Sequence, residues 1–229
     1  MIKKLLNTEK IISETIENTP WQYKIIDNIL EESFFLKLKN SVEKLSQIQK
    51  DEDFYSDGIW PNEFESFNIN KELYDSVVQC QSEFLSIKNE LFSQFDFYLR
   101  SELGYFGIPK INYSMNNLDS AIHDEGKTKS LALIIYLSPE KTLGTRLYEQ
   151  QSSDSLIKEV DWKPNRGFLM CSQPGVTWHS YKNNGSPRYT LNLYCEKMEG
   201  LESVRSNSTV DRYAWFLNNM NDLSLVTYG

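Results

Sequence analysis

Histidine is scarce in this chain: 229 residues contain only two, His123 and His179. Cysteine is scarce too, and Cys80, Cys171 and Cys195 are an odd number with neither close pairing nor zinc-ligand spacing. That excludes a disulfide framework and points to free thiols in a reducing compartment. No run approaches the roughly 18 apolar residues of a membrane span. The opening stretch MIKKLLNTEKII is broken by Asn7, Glu9 and Lys10 before a signal-peptide core can form. Clustered basic charge is also missing: 24 Lys and Arg against 32 Asp and Glu leave a net charge of −8, which disfavours a nucleic-acid partner. A soluble, cytoplasmic protein with no membrane partner is expected. There is no internal repeat and no low-complexity linker.

What the chain does contain is globular. Its composition is 40% hydrophobic, with 12 Phe, 13 Tyr and 5 Trp, and its length suits one large β-rich domain with a substantial core. Residues 1–20 read as a polar N-terminal arm that either packs on the body or stays loose. Residues 21–229 read as a single domain, with its β core at about 105–196 and a helical extension after about 200.

Tyr23 to Ile26 reads as a short strand. Asp27 or Asn28 then caps a helix that buries Phe34, Leu38, Val42 and Leu45. The irregular, aromatic stretch 51–68 is either a substrate wall built on Phe54, Tyr55 and Trp60 or simple core filling. From Asn70 to about Leu99 the spacing of Leu73, Val77, Phe84, Ile87 and Leu91 gives one long helix or two. Past Gly104, Gly107 and Pro109 the pattern changes to short strands and turns. Strands are expected at Ile111 to Met115, Leu131 to Leu137, Thr145 to Glu149 and Gly167 to Cys171, with a polar loop at Gln150 to Lys158. The fold class is α+β with a mainly β, sandwich or jelly-roll core.

The segment PGVTWHSYKNNGSPRYTLNLYC, residues 174–195, concentrates the chemistry. Asn184-Gly185 between two strand-forming runs signals a hairpin turn. Alternation along the second run places Arg188, Thr190, Asn192 and Tyr194 on one face, and Tyr189, Leu191, Leu193 and Cys195 on the other. His179 and Arg188 should then aim into the same space.

His123 is followed by Asp124 and Glu125. Two imidazoles and one carboxylate make up the ligand set of a facial triad, which leaves open positions on a non-haem Fe(II). In extended chain, residues i and i+2 share a face, so Glu125 is the expected ligand and Asp124 the alternative.

The order His123-x-Glu125, the strand ending Tyr136-Leu137, Gly144-Thr145, Trp178-His179 and Arg188-x-Thr190 resembles the iron(II)/2-oxoglutarate-dependent dioxygenases. The stretch from Trp21 to Glu32 is similar to the opening of their prolyl-hydroxylase-like members. Most members carry Asp where this chain has Glu125. The resemblance implies a double-stranded β-helix (jelly roll) with N-terminal helices packed on the sheet, and Fe(II), 2-oxoglutarate and O2 as cofactors. It implies His123, Glu125 and His179 as metal ligands and catalytic centre. Arg188 would pair with the distal carboxylate of 2-oxoglutarate, with hydroxyls from Thr190 and Tyr113. The implied activity is hydroxylation of a peptide side chain or small molecule, coupled to decarboxylation of the cosubstrate. The alternative is a non-catalytic binding module that keeps the metal site. A halogenase would need the carboxylate position vacated, a cupin enzyme a His-x-His pair, and a zinc hydrolase would leave Arg188 without a task.

Overall fold

The computed structural model describes residues 3–48, 57–59, 61, 64–65, 69–114, 119–200, 216–219 and 224–227. Phe54, Tyr55 and Trp60 lie outside these residues, as does most of the C-terminal segment. In chain order the elements are α1 (Thr8–Ser13), β1 (Tyr23–Asp27), α2 (Glu32–Ile48), β2 (Asp57–Ile59), α3 (Lys71–Ser86), α4 (Lys88–Phe92), β3 (Tyr105–Phe106) and β4 (Lys110–Ser114). They continue with β5 (Lys129–Ser138), β6 (Thr145–Tyr148), β7 (Leu156–Val160), β8 (Arg166–Cys171), β9 (His179–Tyr181), β10 (Arg188–Lys197) and β11 (Val226–Thr227).

The strands form two antiparallel sheets. The larger runs β1-β8-β5-β10-β3-β11, with β4 also paired to β10 and β2 to β4; the smaller runs β7-β6-β9. Strand β10 is its axis, because it pairs with β5 on one edge and with β3 and β4 on the other.

Both faces of the large sheet are covered, which explains why β5 reads as an unbroken apolar run. On one face Leu131, Leu133, Ile135, Leu191 and Leu193 pack against Phe34, Leu38 and Val42 of α2 and Leu73, Val77 and Phe84 of α3. On the other, Ala132, Tyr136, Phe168 and Met170 meet Leu147 of β6 and Val160 of β7. The helices thus occupy one side, and the space between the two sheets is left for a site.

Several local expectations are refined. The helical stretch after Asn70 is two helices that end at Phe92, short of Leu99; the Asn70 side chain caps the first by accepting from Leu73 N. The supposed polar loop 150–158 contains the start of β7. Leu156 and Ile157 stand exposed at this sheet edge, so no alternation marks the strand. Its register is carried instead by pairing with β6 and by the Arg146–Glu159 ion pair of 2.7 Å. Gly144 makes that pairing possible, since a Cβ there would lie 1.5 Å from Val160 O.

Asn184-Gly185 does not close a hairpin. Strand β9 pairs with β6 and β10 with β5, so this turn carries the chain from the small sheet to the large one. Only Gly185 of the pair takes a positive φ, 89°. The turn is held by Asn183, whose Oδ1 accepts from Gly185 N and whose amide donates to Ser114. Burial of the two strands in different sheets overrides the local turn signal.

The N-terminal segment packs on the body. Leu6 and Ile11 are fully buried, and Lys24 of β1 donates from Nζ to the Ile11 and Ile12 carbonyls at the end of α1 and to Gln94 Oε1. The β architecture also reaches beyond 105–196, since β1, β2 and β11 join the large sheet. Among the described residues, no helix is long and apolar enough to cross a membrane.

Candidate metal centre

The chain segment before β5 pairs with strand β9: Ser120 N donates to Tyr181 O at 3.0 Å, His123 N donates to His179 O at 3.0 Å, and His179 N donates to His123 O at 2.9 Å. Directly opposed residues of an antiparallel pair project their side chains to the same side. The two imidazoles accordingly lie with ring centroids 4.4 Å apart. Each Nδ1 sits against a backbone carbonyl two residues earlier, His123 against Ala121 O at 2.8 Å and His179 against Thr177 O at 2.9 Å. Those contacts assign the proton to Nδ1 and leave both Nε2 atoms with a free lone pair.

Glu125 completes the group, and ligand atoms of His123, Glu125 and His179 all lie within 4.8 Å of one another. Asp124 has other work. Its Oδ1 accepts from Gly126 N at 2.9 Å and its Oδ2 from Gly175 N at 2.6 Å, tying the loop before β5 to the loop before β9. Gly126 at φ 72° lets the chain turn there, after which Lys129 opens β5.

The electrostatics favour a cation. His179 is 2% exposed, its Nε2 has no hydrogen-bond partner, and Glu125 Oε1 lies 3.4 Å from it. Two acceptors facing one another in a buried space require a proton or a metal ion between them. His123 is exposed at one edge, yet the loss of hydration on its inner side and the adjacent His179 ring hold its pKa below the ordinary value, which keeps that imidazole in the form that binds metal. Burial alone would raise Glu125, but the Lys129 ammonium beside it holds its carboxyl well below the usual range. A donor set of two neutral imidazoles and one carboxylate fits a non-haem iron site on ligand type.

These residues line a cavity of about 220 Å³ between the sheets. Arg188, Thr190, Asn192 and Tyr194 all face it, while Tyr189, Leu191, Leu193 and Cys195 lie in the helix-side core, which is the alternation expected for β10. Arg188 is 6% exposed and pairs with no carboxylate among the described residues; its Nε is buried without a partner. Its guanidinium is instead boxed by three rings, with Cζ 4.3 Å from the centroid of Tyr181, 5.0 Å from Trp162 and 5.7 Å from Tyr136. Burial lowers its pKa, so the charge is held at a cost that an anion would relieve.

Two expected cavity residues behave differently. Tyr113 of β4 belongs to the helix-side core; its neighbours Lys110 and Asn112 are the β4 residues that face the cavity. The one-residue shift follows from the period of a strand, where adjacent side chains point to opposite faces. Thr190 does line the cavity, but its hydroxyl donates to Asn192 Oδ1 at 2.8 Å, and Asn192 Nδ2 donates on to Tyr194 Oη at 3.0 Å.

Sequence reasoning did not single out Lys129, Tyr136, Trp162 or Tyr181 as site residues. Tyr136 alternates onto the same face as Ile134 of β5, a readable signal. Trp162 and Tyr181 reach Arg188 from separate loops and strands, which no local pattern reports. A larger groove of about 620 Å³ runs along α2 and α3, but most of its charged residues pair with one another, Lys3 with Glu31 and Lys37 with Glu72, and it gathers no catalytic set.

No family model matches the sequence, and the comparison with curated proteins gives no match. Solved structures are similar in fold. A prolyl hydroxylase from Trichoplax adhaerens, in complex with a hypoxia inducible factor oxygen degradation domain peptide fragment, superposes with a TM-score of 0.57 at 14% identity, covering 82% of this chain and 87% of that one. The viral collagen prolyl hydroxylase of Paramecium Bursaria Chlorella virus-1, a 2OG complex, gives 0.51 at 14% identity over 77% and 96% of the two chains. The epimerase SnoN, in complex with Fe3+, alpha ketoglutarate and nogalamycin RO, gives 0.50 at 8% identity over 76% and 78%. The protein shares the α+β, mainly antiparallel fold of these structures.

Proposed function

We propose that this protein is an Fe(II)/2-oxoglutarate-dependent oxygenase on a double-stranded β-helix, most simply a hydroxylase of a peptide side chain or small molecule. The observation that carries the reading is the buried, unpartnered Nε2 of His179 facing Glu125 Oε1 at 3.4 Å. His123, Glu125 and His179 would hold the metal. When bound, iron and 2-oxoglutarate supply the oxidation: dioxygen is consumed, the oxo acid loses carbon dioxide to give succinate, and one oxygen atom enters a C–H bond of the substrate. The fold-sharing proteins bound to 2-oxoglutarate or iron support this assignment.

The chain's own residues bind and orient. Arg188 offers a planar fork of N–H donors to the distal carboxylate of the cosubstrate, held in direction by its three aromatic neighbours. Thr190 contributes an acceptor oxygen and a methyl group beside it. Tyr113 takes no part. A cavity of about 220 Å³ lies below the usual range of roughly 300–1,000 Å³ for small-molecule sites. The cosubstrate would fill much of it, and the substrate would present its reacting group through the mouth, where His123 is exposed.

The test is an anaerobic titration of the metal-free protein with Fe(II) and then 2-oxoglutarate, followed by the visible charge-transfer absorption of the chelate. The band should appear in the wild type, vanish in His179→Ala, and require far more 2-oxoglutarate in Arg188→Ala. A wild type that binds iron and gives no band with 2-oxoglutarate would leave the non-catalytic binding module as the reading.

A further inference from the structure

The two oxygens of Glu125 are treated differently by the protein. Oε1 faces His179 Nε2 at 3.4 Å, while Oε2 lies 2.5 Å from Lys129 Nζ. Lys129 is in turn fixed from its other side, with Nζ 4.4 Å from the centroid of the Tyr194 ring. Tyr194 has little freedom to yield. Its hydroxyl accepts from Asn192, and its backbone is gripped by Gln81 of α3, which donates from Nε2 to Tyr194 O at 2.7 Å and accepts from Tyr194 N at 3.1 Å. A helix buried on the far side of the sheet thus braces the ring on which the ammonium rests.

This geometry bears on coordination number. A carboxylate can bind a metal through one oxygen or two, and the second oxygen would take one of the positions a facial triad leaves open. A 2-oxo acid bound through two atoms, with dioxygen beside it, needs all three. Glutamate has one methylene more than aspartate, hence one more rotatable bond and more freedom to swing both oxygens onto the ion. The restraint it lacks internally can be supplied from outside.

Resting on the oxygenase reading, we propose that Lys129 is a positioning residue: it holds Oε2 of Glu125 so that the carboxylate meets the metal through Oε1 alone and the third open position stays available to the cosubstrate. The charge-assisted hydrogen bond and the ring behind the ammonium make withdrawal of Oε2 the resting state. Hydrogen-bonded outer partners of metal ligands commonly tune a site in this way.

The experiment compares wild type, Lys129→Met and Lys129→Arg. Methionine keeps the unbranched stem over Tyr194 and removes the donor; arginine restores a cationic donor. Mn(II) affinity is measured by calorimetry without cosubstrate, 2-oxoglutarate affinity on the Fe(II) protein by its visible band, and folding by thermal unfolding. Lys129→Met should bind Mn(II) as tightly as wild type or a few-fold tighter, yet need more than about ten-fold more 2-oxoglutarate, and Lys129→Arg should recover most of that loss. An unchanged 2-oxoglutarate affinity in folded Lys129→Met overturns the proposal. So does a parallel loss of Mn(II) binding in both variants, which would make Lys129 a part of the pocket wall only. A wild type that binds no metal, or binds it without responding to 2-oxoglutarate, defeats the oxygenase reading itself and is distinguishable because it needs no variant.

Discussion

His123 and His179 are joined by two reciprocal backbone hydrogen bonds, 3.0 and 2.9 Å long, across a single bridge that belongs to neither long strand. The bridge brings residues 56 positions apart into register, and the Nδ1 contacts to Ala121 O and Thr177 O turn both Nε2 atoms to ligand duty. On the proposed reading, Glu125 and the two imidazoles would hold the metal. Titration of the metal-free protein with Mn(II) should show His179→Ala and Glu125→Ala losing more than about 100-fold in affinity, beyond the cost of removing an outer partner. Asp124→Asn should stay within about three-fold while lowering the unfolding temperature, because Asp124 ties Gly126 to Gly175. A larger loss in Asp124→Asn than in Glu125→Ala would exchange their roles.

Trp162 lies 5.0 Å from the Arg188 guanidinium and stacks on Tyr136 at 4.4 Å, with its Nε1 donating to Pro139 O. A cation over an indole face contributes about 1 kcal/mol when partly desolvated. Trp162→Leu should weaken 2-oxoglutarate binding by about five-fold without altering Mn(II) affinity. Trp162→Phe, which keeps the stack, should fall between. Loss of metal binding in Trp162→Leu would show that the box and the metal site are not separable.

Asp27 at the end of β1 faces Arg166 at the start of β8, with contacts of 2.6 and 3.2 Å, and Lys163 adds another at 2.9 Å. The Arg166 hydrogen bond leads in lowering the Asp27 pKa from 3.8 to about 2. A carboxyl whose folded pKa is depressed adds stability above its unfolded value and loses it as pH falls through the folded one, so the window runs from about pH 4 down to about pH 2. Allowing for solvent screening of a partly exposed pair, about 1 kcal/mol is at stake. In urea melts, Asp27→Asn should be less stable than wild type by that amount at pH 7, with the gap closing toward pH 2. A pH-independent gap would point to packing instead.

Gly144 is needed for close approach, because a Cβ would fall 1.5 Å from Val160 O. Gly144→Ala should push β6 away from β7 and destabilise the protein by about 2 kcal/mol or more, of the order expected for backbone conflict in an ordered element. Hydrogen exchange should place the loss in the small sheet, with Thr145 and Leu147 amides losing protection before those of β5. Uniform loss across both sheets would show that the small sheet does not open by itself.

Much of the architecture was readable because period-2 alternation and strand-length apolar runs are local. The face assignment along β10 follows from alternation alone, and the stripe Phe34, Leu38, Val42 falls on the buried side of α2 as helical spacing requires. Leu156 and Ile157 at the exposed edge gave no such pattern, so β7 was hidden. Asn184-Gly185 carried a true turn signal whose meaning changed once its flanking strands were buried in different sheets.

The sequence by itself determined the donor inventory: two histidines, an adjacent pair of acids, and an arginine at the head of an alternating run. Residue type sets ligand chemistry, and alternation sets which neighbours share a face. Only the tertiary structure decided that Glu125 and not Asp124 joins the imidazoles, that Tyr113 turns to the core while Asn112 turns to the cavity, and that Lys129 sits on the second oxygen of Glu125. Those choices depend on the bridge between His123 and His179 and on the register of β4 against β10, contacts between segments far apart in the chain that no local periodicity encodes.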